Sequence, residues 1–313
     1  MKNFCTISDK DYLLKVLTLF DSLEKTHEPD SFVLNLICLD EETYDKTSAL
    51  EKQNLHPIRV GDLEEDNYEL RALRYSQPSQ EAVSNAGAQG KDPRYIQFCW
   101  ALAAYSCWYF LERKKMDHIY YLDSDLFFYN DIQAMKDEIG DKSVGIVRHR
   151  IDYLASSGEF NVGVVYFAND YIGRRCSDWW KRQMCNPGPQ NPWFAWYGQC
   201  GDQKYLELFP LIFGDSVCIV DDEVGHLAPW NATFHKYKDD TKENTVIWND
   251  VEQPLVYFHF AHFVPNFEND FYKTSYNNEW VWGAPEAAHP FVLHKYNEYF
   301  SATKVAKEKY FGE

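Results

Sequence analysis

The sequence lacks the features of an exported, membrane-spanning or disulfide-bonded chain. Met1–Ser8 has no charged start before an apolar run, so no signal peptide is predicted. No stretch approaches about 18 uninterrupted apolar residues, which argues against a membrane span. The eight cysteines form no Cys-x-x-Cys pair, and several lie inside apolar runs. They are therefore predicted to be buried thiols of a reducing compartment, and we expect a cytoplasmic protein.

Positive charge is scarce as well. The chain has 31 Lys and Arg against 48 Asp and Glu, so its formal net charge at pH 7 is −17. A surface this acidic repels nucleic acid and anionic lipid, and we expect no nucleic-acid partner. A nucleotide ligand suits such a chain only if a metal ion or a local basic pocket offsets the charge of the phosphates.

Aromatic residues, in contrast, are abundant. They make up 17% of the chain, and the 22 Tyr, 21 Phe and 10 Trp exceed the needs of a core. Each of them either packs in the core or lines a concave surface, against which sugars bind well. The length of 313 residues accommodates one large domain or two small ones.

The N-terminal part of the chain predicts a strand, a helix and a second strand. Phe4–Ile7 is a short apolar run, apolar residues recur at helical spacing from Tyr12, and Ser31–Leu39 is typical of a buried parallel strand. Such a βαβ unit crosses over right-handed. Residues 64–92 are polar with few apolar anchors. They are interpreted as a long surface loop or short helices, forming either a lid or a disordered segment.

Strands and helices continue to alternate along the rest of the chain. Helices are predicted over residues 94–113 and 170–184, and strands over His118–Leu122, Ser143–Val147 and Phe160–Phe167. The predicted fold class is therefore α/β, with a mostly parallel sheet flanked by helices.

Two carboxylates, Asp123 and Asp125, follow the strand His118–Leu122. Open α/β sheets bind ligands at the carboxyl ends of their strands. Two acids at such a place repel each other unless a cation joins them, and Mn²⁺ or Mg²⁺ prefers oxygen ligands that bridge to phosphates. The alternative is a solvated pair of loop acids. The apolar strand before the pair and the aromatic run after it favour the metal site.

Tyr121–Phe128, which reads Tyr-Leu-Asp-Ser-Asp-Leu-Phe-Phe, resembles the Asp-x-Asp segment of GT-A-fold glycosyltransferases, especially the family-8 group of retaining enzymes. The resemblance implies a GT-A, Rossmann-like fold. It also implies that Asp123 and Asp125 hold Mn²⁺, or Mg²⁺, against the diphosphate of a nucleotide-sugar donor. By the same resemblance, Ser124 lines the ribose side of that donor.

Phe160–Val164 resembles the family's Phe-Asn-x-Gly-Val strand. The resemblance implies that Asn161 reaches the donor sugar and that Gly163 lets the strand approach it closely. For Asn161 the alternative is a polar residue at a strand edge.

Gly201–Leu206 is similar to the family's Asp-Gln segment, whose side chains bind sugar hydroxyls beneath the reacting carbon. By this resemblance Asp202 and Gln203 join Asn161 as catalytic residues. A short acid after a glycine also fits a helix N-cap, and this is the alternative for Asp202.

Tyr257–Phe263 resembles the family's late histidine-containing strand, where a histidine completes the metal site. Imidazole beside two carboxylates is a reasonable ligand set for Mn²⁺. His259 is the first choice for the third ligand and His262 the alternate; either would otherwise be a core histidine. The family continues with Gly and Lys-Pro-Trp, whereas this chain continues with Val264–Asn266. The diphosphate-binding lysine is therefore absent at that place.

The end of the N-terminal strand resembles the family's nucleotide-base pocket, where the base is usually uracil. By this resemblance Thr6 and Ser8 bond the base, and Tyr12 stacks on it. Arg94 either faces the diphosphate, because a guanidinium matches phosphate geometry, or is a surface residue at a helix start. Trp230 lies in a loop that either adjoins the donor or acceptor sugar or anchors to the core.

The resemblance covers residues 4–263. It divides the chain into a GT-A catalytic domain, residues 1–265, and an aromatic and helical C-terminal extension, residues 266–313. A helix is predicted to open at Pro290, since proline suits the first helical turn.

The predicted function is the Mn²⁺-dependent transfer of a hexose-type sugar from a nucleotide-diphosphate sugar, with UDP-sugar favoured, to an acceptor hydroxyl. The resemblance implies retention of the anomeric configuration. Two routes are open, a protein nucleophile beneath the sugar, where Asp202 and Gln203 lie by analogy, and same-face attack assisted by the leaving phosphate, which we favour. One alternative is a carbohydrate-binding or nucleotide-sugar-binding protein without transferase activity. Another is a nucleotidyltransferase, which would carry a glycine-rich basic loop where this chain has Ser8–Asp11. The acceptor, whether saccharide, lipid-linked or protein, is not identified by the sequence.

Overall fold

The computed structural model describes residues 1–65, 67–151, 158–185, 201–238, 243–276, 279–282 and 289–312. The strands are β1 (Lys2–Ser8), β2 (Phe32–Cys38), β3 (Leu55–Arg59), β4 (His118–Leu122), β5 (Leu126–Phe128), β6 (Val144–Arg148), β7 (Phe160–Ala168), β8 (Val217–Val220), β9 (Gly225–Leu227), β10 (Thr245–Trp248), β11 (Val251–His259), β12 (Val264–Asn266), β13 (Phe271–Tyr276) and β14 (Glu279–Trp282).

The helices are α1 (Leu13–Thr26), α2 (Glu41–Ser48), α3 (Val60–Glu65), α4 (Tyr68–Leu73), α5 (Gln80–Gln89), α6 (Pro93–Glu112), α7 (Gln133–Ile139), α8 (Tyr171–Cys185), α9 (Phe209–Phe213) and α10 (Pro290–Phe311). The segments Gln203–Leu208 and Gly214–Ser216 are short 3-10 helices. The predicted βαβ start, the long helices and the helix opening at Pro290 are confirmed. Residues 64–92 contain short helices, as one of the two interpretations of that segment had it.

The central sheet contains seven strands in the order β3-β2-β1-β4-β7-β6-β8. All neighbours in it are parallel except β7, which is antiparallel to both β4 and β6. The prediction of a mostly parallel sheet flanked by helices is therefore confirmed. The reversal of β7 has a consequence for function, because it brings the start of β7 to the edge of the sheet where β4 ends.

The sheet is covered on both faces, which explains why its strands are continuous apolar runs. Side chains alternate between the two faces of a strand. Along β4, Ile119 and Tyr121 pack towards α6 and α8, whereas Tyr120 and Leu122 pack towards α1 and α7. The helix α6 begins at a proline, and the side chain of Asp92 caps it by accepting from Arg94 N at 2.8 Å.

The register between β6 and β7 is interrupted. Ile146 pairs with Val165, but the next residue of β6, Val147, pairs with Asn161. Three residues of β7, 162–164, are therefore additional to the ladder with β6, whereas Val164 still pairs with Leu122 of β4. Such a bulge redirects side chains locally and commonly lies beside functional sites.

A second sheet, β10-β11-β5 with β9 beside β11, packs next to the first. It shares a hydrophobic core with the C-terminal helix. The ring of Tyr299 stacks on Phe260 with centroids 3.9 Å apart, and Tyr296 meets Phe258 edge to face. The division of the chain into two domains after residue 265 stays a prediction. The helix α10 packs against the same hydrophobic core as β11.

The described cysteines are all free, and Cys5, Cys38, Cys107, Cys176 and Cys218 are buried. Cys200 lies outside the described residues. Within the described ranges, every helix is too short or too polar to cross a bilayer.

His27, at the end of α1, illustrates how the core constrains a titratable group. Burial lowers the pKa of His27 to about 4, although nearby Asp131 opposes this shift. Both nitrogen atoms of the neutral ring have hydrogen-bond partners. Nδ1 donates to the carbonyl of Leu23 at 3.2 Å, and Nε2 accepts from Ile132 N at 3.4 Å. Protonation of the folded ring would place a charge among Phe4, Phe32 and Phe128.

We therefore predict an acid-sensitive contribution of His27 to stability. In the unfolded chain the pKa of a histidine is about 6.5, so below this pH the unfolded state binds a proton that the folded state does not. The free energy of unfolding should fall from about pH 6.5 towards about pH 4, by up to about 3 kcal/mol from this residue. Urea denaturation of the wild type and of His27→Gln at several pH values measures the difference in slope. Titration of the folded His27 ring near its ordinary pKa, followed by NMR, would contradict the prediction.

Candidate functional site

A cavity of about 250 Å³ opens at the carboxyl ends of β1 and β4. One wall is formed by the turn between β1 and α1, another by the start of α6, and the floor by the segment after β4. Its lining residues are Ile7, Ser8, Asp9, Tyr12, Leu39, Lys91, Tyr95, Ile96, Cys99, Trp100, Tyr121, Asp123, Ser124, Asp125 and His259. The structure thus brings together two of the predicted base-pocket residues and all of the predicted metal ligands.

The segment Asp123–Asp125 is held by main-chain hydrogen bonds on two sides. The N–H of Asp123 donates to the carbonyl of Gly163 in β7 at 2.9 Å, and the N–H of Phe260 donates to the carbonyl of Asp125 at 2.9 Å. In the antiparallel pair of β5 and β11, His259 lies opposite Leu126. The end of β11 is therefore placed directly beside the two acids.

His259 points its Nε2 atom at both carboxylates. The distance from Nε2 is 3.0 Å to Asp125 Oδ1 and 3.7 Å to Asp123 Oδ2. On the other side of Asp125, Lys15 Nζ lies 3.5 Å from Oδ2. Both carboxylates are largely withdrawn from solvent, with 24% and 13% of their side-chain surface exposed for Asp123 and Asp125.

This arrangement shifts the pKa values of the two acids in opposite directions. Burial raises the pKa of Asp123, and the opposing effect of His259 is too small to reverse the shift. Burial alone would also raise the pKa of Asp125, but His259 and Lys15 outweigh it and lower that pKa. For His259, burial alone would lower the pKa, and the contact with Asp125 raises it instead.

Asn161 connects His259 to the predicted sugar-binding residues. Its Oδ1 atom lies 3.3 Å from His259 Nδ1 and accepts from Gly163 N at 2.9 Å. Its Nδ2 atom donates to Gln203 Oε1 at 2.9 Å. Gln203 Oε1 also accepts from Val162 N at 3.2 Å. A continuous chain of hydrogen bonds thus runs from Gln203 through Asn161 and His259 to Asp125.

His149 is a member of this network that the sequence did not indicate. Burial lowers its pKa to about 4, so the ring is neutral near pH 7. Nδ1 donates to the carbonyl of Gly158 at 2.8 Å, which leaves Nε2 to accept from Asn161 Nδ2 at 3.4 Å. This bond and the one to Gln203 both orient the amide of Asn161 with its oxygen towards His259. The ring of Trp230 meets His149 and His259 edge to face, so the Trp230 loop adjoins the site.

Asp202 is buried and precedes the 3-10 helix Gln203–Leu208. It occupies the N-cap position, but its side chain makes no capping hydrogen bond, unlike the structural alternative considered for it. Its main-chain carbonyl accepts from Trp180 Nε1 at 3.0 Å. A Cβ atom at the preceding Gly201, whose φ is +55°, would lie 2.8 Å from the ring of Trp100. Gly201 therefore allows this turn to pack against the cavity wall.

Asp9 and Lys91 are cavity residues that sequence reasoning missed. Lys91 Nζ and Tyr95 Oη donate to Asp9 Oδ2 at 2.8 and 2.6 Å, and Tyr12 N donates to Asp9 Oδ1 at 3.0 Å. Burial alone would raise the pKa of Asp9, but Lys91 and Tyr95 outweigh it and lower that pKa. The position of Asp9 at the carboxyl end of β1 was a signal that could have singled it out.

The predicted residues that are not among those lining the cavity are Thr6, Arg94, Asn161, Gly163, Asp202, Gln203 and the alternate His262. Thr6 is buried in β1, below Ser8, and its hydroxyl has no hydrogen-bond partner among the described residues. Arg94 is exposed at the start of α6. His262 is exposed in the turn after β11, with a φ of +62°, whereas His259 faces the carboxylates.

The donor atoms at Asp123, Asp125 and His259 suit Mn²⁺, because they offer two carboxylates and one imidazole. In the described part of the chain, no group of three or more His, Cys, Asp and Glu side chains is arranged to hold a metal ion as it stands. At this site His259 Nε2 lies 3.0 Å from Asp125 Oδ1. The oxygen of Asn161 beside Nδ1 favours the tautomer that leaves Nε2 free for a metal, as carbonyl groups behind metal-binding histidines do.

Comparison with known proteins adds relatives at low identity. No family model matches the chain. The uncharacterized protein YfnF of Bacillus subtilis (strain 168) is 26% identical over 273 residues, covering 82% of this chain and 80% of that protein. The uncharacterized protein YfnD of the same organism is 25% identical over 276 residues, covering 86% and 80%.

Solved structures resemble the chain more completely. The galactosyltransferase LgtC, in complex with donor and acceptor sugar analogs, has a TM-score of 0.56 at 14% identity and covers 97% of this chain and 95% of its own. Mouse xyloside xylosyltransferase 1 in its apo form has a TM-score of 0.50 at 17% identity and covers 73% and 88%. The chain therefore has the GT-A glycosyltransferase fold that its motifs imply.

The packing around Gly163 makes the network testable. A Cβ atom at this position would lie 2.5 Å from Asn161 Oδ1 and 2.8 Å from His259 Nδ1. We predict that Gly163→Ala separates these two side chains and lowers the free energy of unfolding by about 1–3 kcal/mol. Urea denaturation measures the loss, and the imidazole NMR signals of His259 report the displacement.

Gly87→Ala is the matched control, because a Cβ atom at that exposed helical glycine meets no atom within 4 Å. It should leave the His259 signals unchanged and stabilise the protein slightly, by about 1 kcal/mol or less. Unchanged His259 signals in a fully stable Gly163→Ala protein would show that the network tolerates the extra carbon.

Proposed function

We propose that the chain is a glycosyltransferase that moves a hexose-type sugar from a nucleotide-diphosphate sugar, with UDP-sugar favoured, to an acceptor hydroxyl. The observation that carries the proposal is the pair Asp123 and Asp125 with His259, at the carboxyl end of β4, on the floor of the cavity. LgtC, which shares this fold over nearly its whole length, is a galactosyltransferase whose structure holds donor and acceptor sugar analogs.

The nucleoside would lie against the turn between β1 and α1. Ser8 and Tyr12 line the cavity there, and Ser124 lines it beside the acids. A ring such as Tyr12 offers a stacking face to a planar base. Roles for Thr6 and Arg94 stay predictions, since Thr6 is buried below Ser8 and Arg94 is exposed.

A divalent cation, Mn²⁺ or Mg²⁺, held by Asp123, Asp125 and His259 would offset the negative charge that accumulates on the departing nucleoside diphosphate. Asn161 keeps the imidazole of His259 facing the two acids through the contact at Nδ1. The main-chain bonds from Phe260 and to Gly163 keep the acids themselves in place. These residues are thus oriented before a ligand arrives. Charged and polar groups stabilise a transition state most effectively when they are preorganised in this way.

Asn161, Asp202 and Gln203 would bind the hydroxyls of the donor sugar. The acceptor oxygen attacks the anomeric carbon, the bond from that carbon to the phosphate oxygen breaks, and its electron pair leaves with the diphosphate. The acceptor proton passes to the departing phosphate when attack occurs on the same face. We favour this route, because an amide such as that of Gln203 is a poor nucleophile and its oxygen already accepts two hydrogen bonds.

Nucleotide release from a donor tests the proposal directly. We predict that purified protein with Mn²⁺ releases nucleotide from one member of a panel of UDP-, GDP-, dTDP- and CMP-sugars, and that EDTA abolishes the release. Asp125→Asn should lower the rate by about 100-fold or more, the range for loss of a key charge-stabilising group. Asp141→Asn, at an exposed acid beyond α7, is the matched control and should keep the wild-type rate.

No release from any donor, combined with no Mn²⁺-dependent thermal shift by nucleoside diphosphates, would overturn the transferase and favour a carbohydrate-binding protein instead. Equal rates in the wild type and Asp125→Asn would contradict the role proposed for Asp125, although the protein would still be a transferase.

The stereochemistry of the product is a separate prediction. Same-face attack retains the anomeric configuration of the donor. We therefore expect the product formed with the identified donor and acceptor to show the same anomeric configuration, which the coupling constant of the anomeric proton in ¹H NMR reports. An inverted product would exclude same-face attack.

A further inference from the structure

Lys15 is a cation beside the site that the proposed mechanism does not use. It lies in the first turn of α1, and its side chain is 16% exposed. Its Nζ atom is 3.5 Å from Asp125 Oδ2 and 4.5 Å from the centre of the Tyr12 ring. Both of these neighbours line the cavity. Lys15 therefore stands between the candidate metal ligand and the candidate nucleoside contact.

The second lysine at the cavity is already compensated. Lys91 Nζ pairs with Asp9 at 2.8 Å and with Asp11 at 3.7 Å, neither of which belongs to the candidate metal ligands. The partner of Lys15, in contrast, is Asp125 itself. A metal ion bound at Asp125 would replace Lys15 as the partner of this carboxylate. Lys15 Nζ would then lie close to any anionic ligand of that metal ion.

The segment that follows His259 does not supply an equivalent charge. Residues 260–268, which follow His259, contain neither Lys nor Arg. The first turn of α1 contains no acidic residue, and the acid at its N-terminus, Asp9, which accepts from Tyr12 N at 3.0 Å, is already paired with Lys91. The positive end of the helix dipole therefore adds to the charge of Lys15.

We propose that Lys15 binds the diphosphate of the donor, as a direct contact from α1. This inference rests on the proposed function, because it takes a nucleoside diphosphate as the ligand. One turn of α1 would then present Tyr12 to the nucleoside and Lys15, three residues later, to the phosphates. An ammonium group suits this task as a compact point charge with three rotatable donors.

The proposal makes opposite predictions for the metal and for the nucleotide. Loss of the Lys15 charge removes a repulsion towards Mn²⁺, so Lys15→Gln should bind Mn²⁺ alone at least as tightly as the wild type. The same variant should bind UDP in saturating Mn²⁺ about 10- to 100-fold more weakly, the range for one lost hydrogen bond to a charged group. Uridine, which has no phosphate, should bind both proteins equally.

Isothermal titration calorimetry with Mn²⁺, UDP and uridine measures these affinities without reference to turnover. Lys25→Gln, in the last turn of the same helix, is the matched control and should bind all three as the wild type does. Lys15→Arg should recover part of the UDP affinity, because it keeps the positive charge.

The outcomes distinguish this inference from the proposal on which it depends. If the wild type binds no UDP, or any other nucleoside diphosphate, in Mn²⁺, the proposed function itself fails. If the wild type binds UDP and Lys15→Gln binds it equally well, only the role of Lys15 fails. If Lys15→Gln weakens Mn²⁺ and UDP in parallel, Lys15 merely holds Asp125 in place, and the direct contact is excluded.

Discussion

The antiparallel pairing of β5 with β11 is the constraint on which the candidate site depends. It places His259 opposite Leu126, one residue after Asp125, and the N–H of Phe260 fixes the carbonyl of Asp125. Side chains alternate along a strand, so a shift of one residue in this register would turn His259 away from the acids. The imidazole in this position meets Asn161, through which the network continues to Gln203.

The site also concentrates positive charge in a strongly acidic protein. Removing carboxylates from water is costly unless cations accompany them. His259 and Lys15 accompany Asp125, and Lys91 accompanies Asp9 on the opposite wall. These partners come from α1, β11 and the segment before α6, which are far apart in sequence. Folding therefore gathers, around one cavity of a chain of net charge −17, cations that accompany the buried carboxylates.

Features that depend on the local order of apolar and polar residues could be predicted from the sequence. Features that depend on contacts between distant segments could not. Apolar periodicity was sufficient for β1, α1, β2, α6 and β4, and the acids after β4 were visible as a motif. The reversal of β7 was not, because a strand buried on both faces has the same apolar composition in either direction. The ion pair of Asp9 with Lys91, 82 residues apart, left no local trace, since Lys91 sits in a polar segment.

The bulge in β7 has a consequence for how the donor-sugar specificity of this protein can evolve. Buried main-chain N–H groups need partners, and here those of Val162 and Gly163 are taken by the side chains of Gln203 and Asn161. The residues proposed to recognise the donor sugar thus also complete the hydrogen bonding of the sheet. Replacing either one to suit a new substrate would leave a donor orphaned in the interior. Selection for altered specificity is therefore expected to act first on other walls of the cavity, where recognition is not coupled to stability.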